Sequence, residues 1–312
     1  MSEVIRLYEV GPRDGLQNLE GDITTENKAN LVELLLDAGL DRIEIGSFVN
    51  PKHVPQMGDS KDLFLLLLDK VGGRDAFSVL VPNKKGVEMA QSVGAEFLNV
   101  YVSPSPTFLN DNLGTFELSE VLERYDEALE GIDESRVRGY ISLAFDSPFG
   151  DWDTKALEDC IVWCKENCST VVLADTAGMA TESRLTEVIK MAKRHTDNLA
   201  LHLHEPQVKR MTFDKLLTTA YLAGIREFDT SIGGLGGCPF VPGSFGNLPT
   251  EYIVDWAEFY GIEIEQFISK SRLEAARLYA ESITDTPLTE RLTRFISGKL
   301  SGIRRRWIRS GA

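Results

Sequence analysis

Short apolar, β-branched runs alternate along this chain with longer segments whose apolar residues recur every three or four positions. The runs predict eight strands, at residues 5–10, 42–48, 77–81, 96–103, 137–145, 170–174, 199–204 and 226–231. Between them the helical period predicts helices such as 25–38, 116–129, 154–166, 183–194 and 209–223. Eight strands, each followed by a helix, argue for an α/β fold of the (β/α)8 TIM barrel kind, in which functional side chains gather at the C-terminal strand ends. Helical periodicity continues over 250–260, 264–282 and 288–299. Residues 1–250 are therefore read as the barrel and 251–312 as additional C-terminal helices with a basic tail.

The composition narrows the function classes. A net charge of −15 argues against nonspecific nucleic-acid binding, which needs basic surface to displace phosphate counterions. The longest apolar run, 63–68, is far short of the roughly 18 residues that cross a bilayer. The first residues lack a basic segment followed by a long apolar one. A soluble, cytoplasmic protein with no membrane partner is expected. The arginines of the tail, Arg304, Arg305, Arg306 and Arg309, are expected to pack on the acidic protein itself or on a neighbouring subunit. Cys160, Cys164 and Cys168 are spaced along one helical stripe and read as small buried apolar residues rather than a zinc site.

Placing polar residues at the strand ends brings distant parts of the chain together. His202 and His204 are two of four histidines, and at i and i+2 they leave one strand on the same face. The first strand leads into Gly11-Pro12-Arg13-Asp14-Gly15-Leu16-Gln17, the second carries Glu44, and the sixth is followed by Asp175-Thr176-Ala177-Gly178. The eighth runs into Gly233-Gly234-Leu235-Gly236-Gly237-Cys238-Pro239, with Gly246-Asn247 beyond it. Asp14, His202, His204 and, as a fourth candidate, Asn247 make a mixed nitrogen and oxygen ligand set. It suits Mg2+ or Mn2+, with Zn2+, Fe2+ or Co2+ as alternatives. Asp14 taken alone also reads as a turn residue ahead of Gly15.

The segments Glu9 to Asn18, Ser47-Phe48-Val49 with Pro51-Lys52 and Val54-Pro55-Gln56-Met57, and Gly233 to Pro239 resemble the 3-hydroxy-3-methylglutaryl-CoA lyase family. These are metal-dependent barrel lyases that share an Arg-Asp-Gly motif, and the resemblance runs in register over about residues 4–255. It implies a divalent metal at Asp14, His202, His204 and Asn247, a catalytic cysteine at Cys238, and active-site roles for Arg13, Glu44 and Asp175. Gln17 matches a position beside metal and substrate. The implied reaction is a retro-Claisen cleavage of an acyl-CoA to acetyl-CoA and a 3-oxo acid, by an enzyme expected to be a homo-oligomer, most simply a dimer.

Three stretches depart from the family pattern, and all bear on the substrate. Glu205-Pro206-Gln207 follows the histidines where the family has Asp, Thr and a Tyr-Gly step. Asp146-Ser147-Pro148-Phe149-Gly150-Asp151 replaces a Gly-Cys-Pro loop and is expected to put two acids near the mouth. In Ser103 to Asn112, Ser103, Ser105, Phe108 and Asn112 keep the frame. Asp111, however, stands where a basic residue often helps hold CoA phosphates, a role Lys84 and Lys85 are placed to supply. Ser103, Asn112 and Lys84, with Gln17, are the candidate substrate-binding residues. Two other readings remain open at this point: an aldolase acting on a free hydroxy or oxo acid, and a noncatalytic metal-binding barrel.

Overall fold

The computed structural model describes residues 4–19, 21, 23–236 and 246–288. Eight parallel strands close into one barrel in chain order: β1 (Arg6–Glu9), β2 (Ile43–Ser47), β3 (Phe77–Leu80), β4 (Phe97–Val102), β5 (Val137–Ile141), β6 (Thr170–Asp175), β7 (Leu199–Leu203) and β8 (Glu227–Thr230). Closure joins β1 to β8 through Arg6 with Glu227 and Tyr8 with Asp229. Closure leaves the barrel without a free edge strand.

Around it run α1 (Thr25–Asp37), α2 (Ser60–Val71), α3 (Lys84–Ser92), α4 (Pro106–Leu113), α5 (Leu118–Ala128), α6 (Thr154–Asn167), α7 (Glu182–Ala192) and α8 (Phe213–Leu222). Thr24, Asn83, Ser105, Asp153, Thr181 and Thr212 cap their helices by accepting a backbone amide, which satisfies a donor the helix cannot. Their apolar stripes face the outer side of the strands and bury Leu31, Leu35, Leu63, Leu67, Ile161, Val188 and Leu216 in one continuous core. Cys160 and Cys164 lie in that core on α6, and Cys168 caps its end; all three are buried free thiols.

The elements stand close to the expected positions, and the shifts have local causes. β5 stops at Ile141 because Leu143 takes a positive φ of 55° and its amide turns to Thr176 Oγ1. α8 starts at Phe213 rather than 209, at its Thr212 cap. α9 (Thr250–Tyr260) matches, but α10 (Lys270–Thr284) begins later than 264 because Ile264 bridges Ile5 in parallel and the Gln266 side chain bonds both backbone groups of Leu7. The described part of the extension therefore covers the start of β1. The expected helix at 288–299, apart from Leu288, and the arginine tail lie outside the described residues. No helix among the described residues is long and apolar enough to cross a membrane.

Inside the barrel the filling is unusual for parallel strands. A small apolar layer of Tyr140, Val172 and Ala200 with Tyr101 is accompanied by Glu44, Ser78, Asn99, Arg138 and Asp229, all buried. Polar groups persist in such a place only when they satisfy one another.

Candidate active site and metal centre

After β1 the chain makes one wide π-type turn, Gly11–Gly15, in which the amides of Arg13, Asp14 and Gly15 reach back to the Val10 carbonyl at 3.1, 2.7 and 3.4 Å. Such turns occur often at functional sites, since they shift side chains out of the normal helical register. Arg13 and Asp14 are thereby buried at the wall of the central cavity. Gly15 is demanded by crowding: a Cβ there would stand 2.9 Å from Leu235 Cβ.

His202 projects from β7 and His204 follows it, with their Nε2 atoms 3.0 Å apart. One carboxylate oxygen of Asp14 and one nitrogen of each histidine lie within 4.8 Å of one another, and all three residues are buried. Asn247 is brought in by backbone pairing, its residue bridging His204 and the next amide, Leu248 N, bonding Leu203 O at 2.9 Å. Its Nδ2 donates to Asp14 Oδ2 at 2.7 Å and to Leu235 O at 2.9 Å. Its Oδ1 is buried with no hydrogen-bond partner among the described residues. A buried acceptor without a donor is costly, and a cation beside Asp14, His202 and His204 would satisfy it. The nitrogen spacing fits as well, because neighbouring ligands each about 2.1 Å from one six-coordinate ion stand about 3.0 Å apart. The donor set thus fits a divalent metal. Burial works against the charge of Asp14, but Arg13, His202 and His204 hold its pKa below the usual value.

Arg13 links this group to a second carboxylate. Its Nη1 donates to Asp14 Oδ1 at 2.7 Å and its Nε to Glu44 Oε2 at 2.5 Å. Asn99 Nδ2 holds the other Glu44 oxygen at 2.7 Å, and Gln17 Nε2 donates to Asp14 Oδ1 at 2.8 Å. Burial alone would lower the Arg13 pKa; Glu44 and Asp14 raise it, so the guanidinium is a fixed cation. A cavity of about 570 Å³ opens over Arg13, Asp14, Gln17, His202 and His204. It extends past Tyr101 and Phe108 to α4 and α5 and is lined also by Asn112 and Asp111.

The remaining sequence candidates fall elsewhere. Asp175 sits behind the wall: its Oδ1 accepts from Met179 and Ala180 amides at 2.9 and 3.0 Å, and its Oδ2 has no partner among the described residues. Burial, reinforced by Asp146, pushes its pKa up to about 7 against those two amides. Ser103 is fully buried, its hydroxyl donating to Ser142 O and accepting from Ser105 N, so it shapes the entry to α4 and does not line the cavity. Lys84 is exposed at the first turn of α3, beside the cavity-lining Asn83. Of the two acids expected at the mouth, Asp151 accepts from Ser105, Thr107 and Ser147 and holds the start of α4. Cys238 lies outside the described residues. Sequence reasoning passed over Asn99, Arg138, Tyr140 and Asp229, whose signal was a polar residue at every second position of a buried strand.

Comparison with known proteins follows the same lines. The sequence model of the HMGL-like family matches residues 4–278. The 3-hydroxy-3-isohexenylglutaryl-CoA/hydroxy-methylglutaryl-CoA lyase of Pseudomonas aeruginosa is 35% identical over 281 residues, 85% of this chain and 89% of that protein. The human mitochondrial hydroxymethylglutaryl-CoA lyase is 33% identical over 288 residues, 89% of this chain and 86% of the other. Among solved structures, an HMG-CoA lyase from Acinetobacter baumannii in complex with coenzyme A and 3-methylmalate superposes with a TM-score of 0.83 at 29% identity, covering 93% of this chain and 95% of that one.

Proposed function

The chain belongs to the HMGL-like family, and from that premise we propose that it is a divalent-metal-dependent carbon–carbon lyase. Its substrate is 3-hydroxy-3-methylglutaryl-CoA or a related 3-hydroxy-3-alkylglutaryl-CoA, cleaved to acetyl-CoA and a 3-oxo acid. The observation that carries the reading is the convergence of Asp14, His202, His204 and Asn247, whose Oδ1 has no partner among the described residues, beside the Arg13 guanidinium. The named substrates of the relatives and the coenzyme A complex of a close structural neighbour support a CoA thioester.

Bound to that group, a divalent ion supplies Lewis acidity and a template for the substrate hydroxyl. The mixed donor set favours Mg2+ or Mn2+. In the cleavage the 3-hydroxyl gives its proton to a carboxylate base, Glu44 or Asp175, the neighbouring carbon–carbon bond breaks, and its electron pair passes into the thioester enolate. Arg13, fixed by Glu44 and Asp14, stabilises the charge that develops on the enolate oxygen. Glu44 is held by Arg13 and Asn99, and Asp175 by the amides of the turn after β6, where each either orients its neighbours or serves as that base. Protonation of the enolate carbon is the part the resemblance gives to Cys238. Gln17 and Asn112 line the substrate volume, and Lys84 and Lys85, in the first turn of α3 after the cavity-lining Asn83, are the candidates for the CoA phosphates. A cytoplasmic homodimer completes the proposal.

The test is mass spectrometry of products from 3-hydroxyacyl-CoA esters and free oxy acids incubated with Mn2+. Acetyl-CoA release that stops on chelation and in Cys238→Ala is expected. Turnover by the chelated enzyme, or cleavage confined to free acids, would overturn the reading.

A further inference from the structure

Below the metal group, the barrel interior holds a ladder of paired charges that the reaction as described does not use. Asp229 Oδ2 contacts His202 Nδ1 at 3.1 Å, and Arg138 Nη2 donates to Asp229 Oδ1 at 2.6 Å. Arg138 Nη1 donates in turn to Glu227, which is on β8 two residues before Asp229 and so on the same face of the strand. The guanidinium is held over the Tyr8 ring at 4.2 Å and the Tyr140 ring at 5.6 Å, and its Nε donates to Tyr140 OH at 3.3 Å. It is 6% exposed and Asp229 1%.

We propose that Asp229 and Arg138 are positioning residues of the metal site: Arg138 locks the Asp229 carboxylate, and Asp229 aims His202 at the point shared with Asp14 and His204. The argument is geometric. The Nε2 atoms of His202 and His204, at 3.0 Å, cannot both carry a proton. A carboxylate on His202 Nδ1 draws the ring proton to that side and leaves the Nε2 lone pair facing the cluster. Arg138 Nη2, at 2.6 Å from the other carboxylate oxygen, fixes Asp229 in that pose. Lysine would not replace Arg138, because a planar fork is needed to reach Glu227 and Asp229 at once. The outer end of the ladder, Arg6 with Glu265, is solvent-exposed and therefore contributes little.

The inference rests on the metal site of the proposed lyase, and its test separates the two. Mn2+ affinity is measured by titration of the full chain, and the four imidazoles are followed by 15N NMR of the metal-free protein. Wild-type binding and turnover test the lyase reading; the variants test the ladder. Asp229→Asn is expected to weaken Mn2+ binding about 10- to 100-fold and to change the His202 nitrogen shifts while the fold and melting cooperativity persist. Arg138→Lys, which keeps a cation in place, is expected to weaken binding several-fold, and Glu265→Gln to leave it unchanged. A folded Asp229→Asn with wild-type Mn2+ affinity and unaltered His202 shifts overturns the proposal. Lower melting temperature in both ladder variants without a change in affinity also overturns it, since that is the result of core packing alone.

Discussion

Asn247 donates through Nδ2 to Asp14 Oδ2 at 2.7 Å while its own Oδ1 stays buried with no hydrogen-bond partner among the described residues, so one amide orients a carboxylate and leaves an acceptor beside it. Asn247→Ala removes both. The Mn2+ concentration that half-saturates activity is expected to rise about 10- to 100-fold, the usual scale for losing a ligand or its support. Activation of the variant at wild-type metal concentrations would remove Asn247 from the ligand set.

Arg13 is expected to act on the transition state. Arg13→Gln should lower kcat by about 10²- to 10³-fold, as loss of a preorganised donor to a developing oxyanion does, with KM little changed. Arg13→Lys should not restore it, because an ammonium donates from a single nitrogen, whereas the planar guanidinium reaches Glu44 and Asp14 from two, Nε and Nη1. A raised KM with wild-type kcat would instead make Arg13 a ground-state binding residue.

Two buried acids beside the glycine-rich segment give a pH signature. Glu9 accepts from Gly11 N, Ile232 N and Thr250 Oγ1, and Glu251 accepts from Gly233 N. Burial pushes Glu9 from 4.5 up to about 7 and Glu251 up to about 8, against those hydrogen bonds. Between 4.5 and those values the folded chain holds protons that the unfolded chain has lost. The contribution of each group is therefore full below its unfolded pKa and is lost as pH rises through its folded one, by up to about 1.4 kcal/mol per pH unit and group. Asp175, raised to about 7, acts in the same sense. Asp14 and Asp229, held low, act only below about pH 4 and do not oppose it. The urea midpoint of the metal-free chain should fall from about pH 5.5 to about pH 8, and Glu251→Gln should flatten the upper part of that fall. A midpoint flat across that range would contradict the assigned shifts.

Much of this architecture was legible because barrel strands repeat one pattern eight times, and His202 and His204 fall on a strand end where period two puts both rings together. Asp14 could be placed because a motif after β1 has only one place to go in a barrel. What escaped the sequence was interior and relational. Asp229 and Arg138 sit at alternate polar positions of their strands, but their pairing does not show in either run: only closure of the barrel turns β5 and β8 onto one interior and lets them meet. Ser103 is the opposite case: its position matches the motif, and in the structure the chain turns there and its hydroxyl donates to Ser142 O and accepts from Ser105 N.

Asp111 offers a direct probe of how this chain receives its substrate. It lines the outer cavity with Asn110 and Asn112, on the exposed side of α4. A carboxylate there repels the phosphates of a CoA ester, and with a Debye length of about 8 Å at physiological salt the repulsion is local. Asp111→Lys reverses it. An exposed charge pair is worth up to about 1 kcal/mol, so KM for the CoA ester should fall about 3- to 10-fold at low salt, with kcat unchanged. The gain should shrink as salt is raised. If the substrate were a free acid without phosphates far from the metal, the same substitution would leave KM and its salt dependence where they were, so one variant measured at two ionic strengths reports whether the CoA moiety passes over α4.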